Sequence, residues 1–214
     1  MFIHPWLNKF PIKNKSKYLI IGTHPPMPYC GQLKFYYGNS GEFWRLLDKV
    51  YPNNKLYENG CPQKKDIINF LDKRKISITD IVYKTRIAKF SIDSDMGKVE
   101  VEDLNPYLSG WVKKSKIQKI YFTSFGGKNS AKNLFKKWYK NEFGKVCRIS
   151  SEHVNSLEIH GKKIVLIDLF SPSPSAKRGS SKNQTYINWR KGRKINNSYD
   201  DFRFYWYKEK LPKF

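Results

Sequence analysis

Short apolar runs that alternate with amphipathic stretches restrict the fold of this chain more than any other feature of its sequence. Runs rich in apolar, β-branched and aromatic residues predict four strands, at 18–22, 76–83, 117–125 and 164–170. Apolar residues at helical spacing between them predict helices at 42–51, 66–71, 102–114 and 131–143. Strands that alternate with helices indicate an α/β fold, a three-layer α/β/α sandwich with a central, mainly parallel sheet.

The length of 214 residues is compatible with one domain that has a sizeable core. We therefore expect a single domain over 1–214. Residues 180–198 depart from the strand and helix pattern, because they are polar and basic with little periodicity. This segment is expected to form a basic loop or a partly disordered arm, followed by a closing helix at 200–210.

The excess of basic residues indicates a polyanionic partner. Lysine and arginine number 41 against 18 aspartates and glutamates, which gives a formal net charge of +23. Such a charge opposes the compact state unless a polyanion offsets it, so DNA or RNA is the expected partner. A structural nucleic-acid coat is often poor in aromatic residues, whereas this chain has 6 Trp, 14 Tyr and 14 Phe. Aromatic rings among lysines suit both a core and the stacking of bases.

A membrane surface is the competing partner for a basic chain. The sequence contains no run of 18 apolar residues and no apolar region behind a basic start that would predict a signal peptide. We expect a soluble, cytoplasmic and nucleoid-associated protein that does not bind membranes, and we expect a monomer.

The cysteines and histidines predict no metal site. Three cysteines fit neither a disulfide framework nor a four-ligand zinc or iron–sulfur site, and the four histidines are dispersed along the chain. These residues are Cys30, Cys61, Cys147, His4, His24, His153 and His160. We expect reduced structural thiols, no metal and no cofactor.

The segments that follow the predicted strands are the candidate functional segments. In an open parallel sheet, ligands bind outside the carboxyl ends of the strands. The four segments are rich in turn-forming or polar residues: GTHPP at 22–26, TDIVYKTR at 79–86, TSFGGKN at 123–129 and SPSPSAKRG at 171–179. A site built from several of them is expected at one edge of the sheet.

Three of these segments resemble motifs of the uracil-DNA glycosylase superfamily. GTHPP followed by FYYGNSGEFWRLL at 35–47 is similar to the first motif, a Gly-x-(Asp or Asn)-Pro loop with an aromatic segment downstream. SPSPSAKRG resembles the second motif, which is His-Pro-Ser-Pro-Leu-Ser in the uracil-specific branch and Met-Pro-Ser-Ser-Ser-Ala-Arg in thymine-DNA glycosylases. ITDIVYKTR at 78–86 resembles the thymine-DNA branch, and 80–96 is similar to the hypoxanthine-DNA branch. The three matches occur in the family's order, span 18–179, and are closest to the thymine/mismatch-specific and hypoxanthine-DNA branches.

The resemblance implies a monofunctional DNA glycosylase, which hydrolyses the N-glycosidic bond of a flipped-out base and leaves an abasic site. His24 stands where the family carries the Asp or Asn that positions the nucleophilic water, and an imidazole can position water or act as a general base. The departure from Asp or Asn leaves open a changed mechanism, a reduced rate or an inactive binder. His24 could also simply hydrogen-bond a turn. Asn39 could hydrogen-bond the base or the water.

The base pocket is expected to contain Asp80 and an aromatic ring. Asp80 aligns with the Asn that reads the base edge in the thymine-DNA branch, although it could instead cap a turn. A carboxylate only accepts hydrogen bonds, so it favours a base edge that offers N–H, such as a cytosine amino group or a ring N–H of hypoxanthine. Phe35, Tyr36 and Tyr37 are candidates to stack on the base, and we expect at least one of them to belong to the core.

The second motif is expected to grip the DNA. The resemblance implies that Ser173 and Ser175 contact phosphates, and that Lys177 or Arg178 acts as the wedge in the duplex, with Arg178 preferred for stacking. Ser171 stands where the uracil-specific branch has a histidine, so this means of stabilising the leaving base is absent. The same histidine is missing from the thymine-DNA branch.

Three substrates are compatible with the sequence: a modified cytosine such as those in hypermodified phage DNA, a deaminated base, or uracil. A defence role against phage DNA would follow from the first, and DNA repair from the others. A catalytically inactive DNA-binding module with the same fold is the main alternative. An RNA-binding protein with stacking aromatics is a second one, and a preference for single-stranded RNA would distinguish it.

Overall fold

A computed structural model of the chain describes residues 1–25, 31, 33–87, 96–147, 153–192 and 198–214. The strands are β1 (Phe2–Ile3), β2 (Tyr18–Gly22), β3 (Tyr57–Glu58), β4 (Cys61–Pro62), β5 (Ile76–Asp80), β6 (Lys84–Thr85), β7 (Lys119–Phe122), β8 (Val154–Ile159) and β9 (Lys162–Asp168). The α-helices are α1 (Glu42–Val50), α2 (Lys64–Lys73), α3 (Leu108–Lys114), α4 (Ala131–Phe143), α5 (Gln184–Lys191) and α6 (Tyr199–Lys210). Short 3₁₀ helices occur at Pro52–Asn54, Val101–Asp103 and Pro174–Lys182.

Five strands form the central sheet in the order β5-β2-β7-β9-β8. The first four run parallel, and β8 is antiparallel to β9 at one edge. The predicted α/β fold with a mainly parallel sheet is therefore confirmed, and the register places Gly22 beside Asp80 at the carboxyl ends of β2 and β5.

Both faces of the sheet are covered by helices, because the strands carry apolar residues on both sides. In β2, Leu19, Ile20 and Ile21 are all at most 1% exposed. Leu19 and Ile21 pack with residues of α3 and α4 on one face. Ile20 packs with residues of α1, α2 and α6 on the other face. A continuous apolar run of this kind is typical of a buried parallel strand, and the resulting architecture has the three predicted layers.

The third predicted helix begins later than its apolar pattern indicates. It was expected at 102–114, but α3 begins at Leu108, after a 3₁₀ helix at Val101–Asp103. Asn105 precedes a proline, which disfavours helical backbone at the preceding residue. The Asn105 N–H instead donates to the carbonyl of Ile81, 2.8 Å away, beyond the end of β5.

The expectation of a loop throughout 180–198 is wrong for 184–191, which form α5. Asn183 caps the helix by accepting a hydrogen bond from the N–H of Tyr186 at 2.9 Å. The rings of Tyr186 and Trp189 pack against Phe202 of α6, with centroids 5.4 and 5.3 Å apart. Because these contacts are made with a distant helix, no helical spacing of apolar residues within the segment itself predicts them. Residues 193–197 of the predicted arm lie outside the described residues, and α6 begins within a residue of the predicted closing helix.

In the part of the chain that the structure describes, no helix is both long and apolar enough to cross a membrane.

Substitution of Phe135 by alanine tests the packing of α4 on the sheet. The Phe135 ring is fully buried and lies 5.1 Å from the rings of both Phe122 and Trp138. We expect Phe135→Ala to lower the free energy of unfolding by about 3–5 kcal/mol, because it leaves a cavity in a packed core. Urea unfolding measures the loss, and Lys140→Ala at an exposed position of the same helix should change stability by less than about 0.5 kcal/mol. Similar losses in both variants would contradict the packing.

Candidate active site at the carboxyl edge of the sheet

Polar residues stand at or just beyond the carboxyl ends of three of the four parallel strands, and a glycine ends the fourth. Asp80 ends β5, Gly22 ends β2, Thr123 follows β7, and Asp168 ends β9. Because the strands are parallel, these residues lie along one edge of the sheet. Asp80, Thr123 and Asp168 are buried, so their polar groups are held by the protein rather than by bulk water.

Gly22 allows two side chains to converge on the end of the central strand. A Cβ atom added to Gly22 would lie 2.3 Å from the Asp80 Oδ1 and 2.6 Å from the Tyr37 Oη. Both distances are shorter than any ordinary contact, so a side chain at this position would displace the two groups. The glycine that begins the GTHPP segment is therefore needed for the close approach of Asp80 and Tyr37.

His4 reaches Asp80 from the start of the chain. Strand β1 pairs antiparallel with β6, and the His4 N–H donates to the carbonyl of Tyr83 at 2.7 Å. The His4 Nδ1 accepts hydrogen bonds from the N–H groups of Trp6 and Leu7, at 3.1 and 3.2 Å. Because Nδ1 is an acceptor, the ring proton is on Nε2, which donates to the Asp80 Oδ2 at 2.8 Å. His4 is therefore a neutral imidazole that binds the carboxylate.

His24 lies beside this pair as a second neutral imidazole. Its ring is 5.1 Å from the His4 ring in an edge-to-face arrangement, and its side chain is buried. Burial lowers the pKa of His24 to about 4, although the hydrogen bond to Pro25 and the Asp80 carboxylate oppose the shift. The Nδ1 N–H donates to the Pro25 carbonyl at 2.6 Å, so Nε2 holds the lone pair at neutral pH. This nitrogen is the atom that can accept a proton.

The three predicted stacking residues occupy different environments. Phe35 and Tyr36 are at most 4% exposed and belong to the core. The Phe35 ring packs edge-to-face on Phe10 at 4.6 Å, and the Tyr36 carbonyl accepts a hydrogen bond from the Trp44 Nε1 at 2.9 Å. Tyr37 is only partly buried. Of the three residues, Tyr37 is therefore the one that is not fully buried in the core.

Tyr37 is held through its ring and its hydroxyl group, and it adopts an unusual backbone conformation. Its φ of 54° lies in the left-handed region, which a bulky residue occupies at a cost. Its ring stacks on Phe43 with centroids 4.1 Å apart. Its hydroxyl lies 3.0 Å from the Thr123 Oγ1, which also hydrogen-bonds to the Ile21 carbonyl. The turn at 36–40 thus places the Tyr37 hydroxyl at the end of β2.

Asn39 lies apart from this buried group. It is exposed in the turn that follows Tyr37, whereas His24 and Asp80 are buried. An interaction of Asn39 with a base or a water would therefore form at the surface of the site.

The second-motif segment forms a capped 3₁₀ helix. The Ser173 Oγ accepts a hydrogen bond from the Ser175 N–H at 3.3 Å and lies 2.7 Å from the Ser175 Oγ. Lys177 forms an ion pair with Asp200 of α6, whereas Arg178 is exposed. The structure thus places both serines at the start of the 3₁₀ helix and both basic side chains on its surface.

Helix α6 holds the backbone that leads into this segment. The Trp206 Nε1 donates to the Asp168 carbonyl and the Tyr207 hydroxyl to the Phe170 carbonyl, each at 2.9 Å. The Arg203 guanidinium donates to the Ser171 carbonyl at 3.0 Å. The closing helix predicted from the sequence therefore supports the candidate DNA-binding segment.

A second polar cluster surrounds Asp168, and the sequence analysis did not predict it. The buried Lys132 of α4 binds the Asp168 Oδ2 at 2.7 Å, and the His153 Nδ1 lies 3.3 Å from the same oxygen. The His153 Nε2 lies 3.1 Å from the Thr185 Oγ1 at the start of α5. This cluster links α4, β9 and α5, and gives the helix in the predicted arm a polar attachment to the sheet.

The histidines are less dispersed than the sequence suggests, because His4 and His24 lie in contact. Their separation by twenty positions, and that of His4 from Asp80 by 76, gave no signal of this arrangement. Among the residues that the structure describes, no three His, Cys, Asp or Glu side chains form a group that could hold a metal. Cys147 is buried, and burial raises its pKa to about 11, which disfavours the reactive thiolate. Cys30 lies outside the described residues.

Comparison with known proteins identifies no family for this chain. No family model matches the sequence, and no curated protein matches it. By structure, the chain is similar to a proposed uracil DNA glycosylase from Methanosarcina acetivorans that was solved by solution NMR. The two share 20% sequence identity with a TM-score of 0.48, over 85% of this chain and 92% of that chain.

Gly22→Ala tests the close approach at the end of β2. The added methyl group would overlap Asp80 and Tyr37, so we expect the free energy of unfolding to fall by about 1–3 kcal/mol. Gly179→Ala is the matched control, since a Cβ at that position meets nothing within 4 Å. Urea unfolding of both variants measures the difference. Equal stability of the two variants would contradict the geometry.

His24 should make the protein less stable at acidic pH. Its pKa is about 4 in the folded chain and 6.5 in a solvated one, so the unfolded state binds more protons between these values. The contribution to stability is complete above pH 6.5 and falls as the pH drops toward 4. Between pH 7.5 and 5, the wild type should lose about 2 kcal/mol more than His24→Asn, whose amide keeps the hydrogen bond to Pro25 without titrating. Urea unfolding at both pH values measures this, and equal losses would refute the buried neutral imidazole.

Proposed function

We propose that the protein is a monofunctional DNA glycosylase that hydrolyses the N-glycosidic bond of a flipped-out damaged or modified base. The observation that carries the proposal is the meeting of Asp80 and Tyr37 at Gly22, with His24 two residues further along the chain and near enough for the Asp80 charge to act on it. These residues come from three separate segments that the motif resemblance nominates. Their groups provide a neutral base, a hydrogen-bond acceptor and an aromatic ring.

In the proposed reaction, water attacks the C1′ atom of the sugar while the bond from C1′ to the base nitrogen breaks. The base leaves with the electron pair of that bond. In this proposal, His24 positions the water through its Nε2 and accepts its proton, and its low pKa keeps this nitrogen unprotonated at neutral pH. No lysine acts as a nucleophile, and the product is an abasic site in an intact strand.

The base and the DNA contact different parts of the same sheet edge. Asp80 accepts a hydrogen bond from the edge of the flipped base, and Tyr37 supplies the stacking ring, with Asn39 at the rim. The 3₁₀ helix after β9 contacts the backbone through Ser173 and Ser175, and the exposed Arg178 serves as the wedge rather than the ion-paired Lys177. A net charge of +23 favours association with the duplex.

The hydrogen-bonding properties of Asp80 favour a base with an amino group or ring N–H. Modified cytosine, as in hypermodified phage DNA, and hypoxanthine meet this requirement at the edge of the base. Uracil and thymine also carry a ring N–H, but it lies between two carbonyl oxygens. The Asp80 carboxylate would repel these oxygens.

Excision of a base from defined DNA tests the proposal. Labelled duplexes would carry uracil, a thymine mispair, hypoxanthine, 5-hydroxymethylcytosine or 5-hydroxymethyluracil, alongside glucosylated phage DNA, and alkali would reveal abasic sites. We expect product from at least one substrate, and a fall of about 10²- to 10⁴-fold in single-turnover rate for His24→Ala because the water loses its base. His24→Gln should retain more of the rate, since its amide lies where Nε2 is and can still position water.

Two outcomes would count against this function. Undiminished base release by His24→Ala would remove His24 from the mechanism. A lack of product from every substrate, together with tight and salt-dependent duplex binding, would identify the chain as a catalytically inactive DNA-binding module. His160→Asn is the control for loss of a histidine elsewhere, because His160 hydrogen-bonds to Ser109 and asparagine tolerates its φ of 50°.

A further inference from the structure

The hydrogen bonds of His4 determine the form in which Asp80 meets a ligand. Two backbone N–H groups donate hydrogen bonds to the His4 Nδ1. The proton of the imidazole ring must therefore be on Nε2, where it points at the Asp80 Oδ2. This fixed donor therefore meets Asp80 as a hydrogen-bond acceptor at Oδ2.

The same contact determines which oxygen of Asp80 is left for a ligand. With Oδ2 bound to His4, Oδ1 is directed over Gly22, next to the Tyr37 hydroxyl. Tyr37 is partly exposed, whereas the His4 side chain is completely buried. Oδ1 is therefore the atom on the Tyr37 side of the pocket, and His4 lies on the far side.

We propose that His4 is a positioning residue that sets base specificity, by holding Asp80 as an acceptor that selects a base with an amino group. This inference rests on the proposed glycosylase function. His4 contacts neither the base nor the water, and acts only through the carboxylate. The pocket then favours cytosine-type bases, whose N4 amino group donates to Oδ1, over uracil-type bases, whose O4 would face the carboxylate.

The orientation imposed by His4 makes a specific prediction for Asp80→Asn. The His4 Nε2–H can donate only to the amide oxygen, which would therefore occupy the place of Oδ2. The amide nitrogen would then occupy the place of Oδ1 and present a donor to the base. The preference should invert, so that the variant favours a uracil-type base.

A matched pair of bases and a matched pair of variants test the inference. 5-Hydroxymethylcytosine and 5-hydroxymethyluracil differ at position 4, where one carries an amino group and the other a carbonyl. We expect the wild type to excise the cytosine form at least about tenfold faster, the difference that a hydrogen bond to a charged group provides. Asp80→Asn should reverse the ratio, and single-turnover rates on labelled duplexes measure it.

His4→Gln and His4→Asn separate the two hydrogen-bonding roles of His4. Glutamine places an amide N–H where Nε2 is, and so keeps the donor to Asp80. Asparagine places its amide oxygen where Nδ1 is, and so keeps only the acceptor for Trp6 and Leu7. His4→Gln should therefore retain the preference for the cytosine form, and His4→Asn should lose it. A residue that only stabilised the turn at Trp6 and Leu7 would show the opposite order, with His4→Asn the less affected variant.

The outcomes distinguish this inference from the function on which it rests. If the wild type excises at least one base, but His4→Asn keeps the wild-type ratio of the two rates, the role of His4 is refuted and the glycosylase function stands. If the wild type excises no base in any substrate, the function fails and this inference with it. In the double variant with His4→Asn and Asp80→Asn, nothing orients the amide, and the inverted ratio should fall toward one.

Discussion

The parallel pairing of β2 with β5 on one side and β7 on the other is the constraint on which the rest of the structure depends. A strand with neighbours on both sides and helices on both faces must be apolar throughout, and Leu19, Ile20 and Ile21 meet this requirement. The same pairing brings Gly22 level with Asp80, so the end of the strand becomes the floor of the candidate site. Core packing and site geometry therefore share one cause, and Gly22 belongs to both.

The buried carboxylates of this basic chain are balanced in two different ways. Asp103 and Asp168 bind formal cations, Arg86 and Lys132, each at 2.7 Å. Their charges are neutralised locally, as is expected where burial would otherwise destabilise an ion. Asp80 instead binds a neutral imidazole, since the Nδ1 of His4 accepts hydrogen bonds from the backbone. Its negative charge is bound but not cancelled. Burial raises the pKa of Tyr36, and the Asp80 charge acts in the same direction. Burial lowers the pKa of His24, and the Asp80 charge opposes that shift.

The sequence predicted the sheet and most of its helices, because each rests on a local apolar pattern. The strand at 18–22 and the helix at 131–143 have their predicted bounds. Helix α5 and strand β8 were missed. Helix α5 depends on aromatic contacts with α6, and β8 is a half-exposed edge strand whose apolar residues form no continuous run. The ends of the predicted strands indicated where the polar residues of the site would lie. No local pattern in the sequence, however, links His4 to Asp80 or places Phe35 in the core. These arrangements result from β1 pairing with β6 and from the packing of Phe35 with Phe10.

The use of histidine in place of Asp or Asn at position 24 changes where negative charge is available in the proposed reaction. Departure of a base from C1′ leaves positive charge on the sugar, and preorganised negative charge stabilises such a transition state. A neutral His24 supplies none, and it becomes a cation when it takes the proton of water. Asp80, whose charge His4 leaves uncancelled, is then the carboxylate of the site that can offset this positive charge. A lysine or arginine in place of His4 would carry a positive charge and would cancel that of Asp80. On this argument the neutral tautomer of His4 matters as much for the proposed chemistry as for the choice of base.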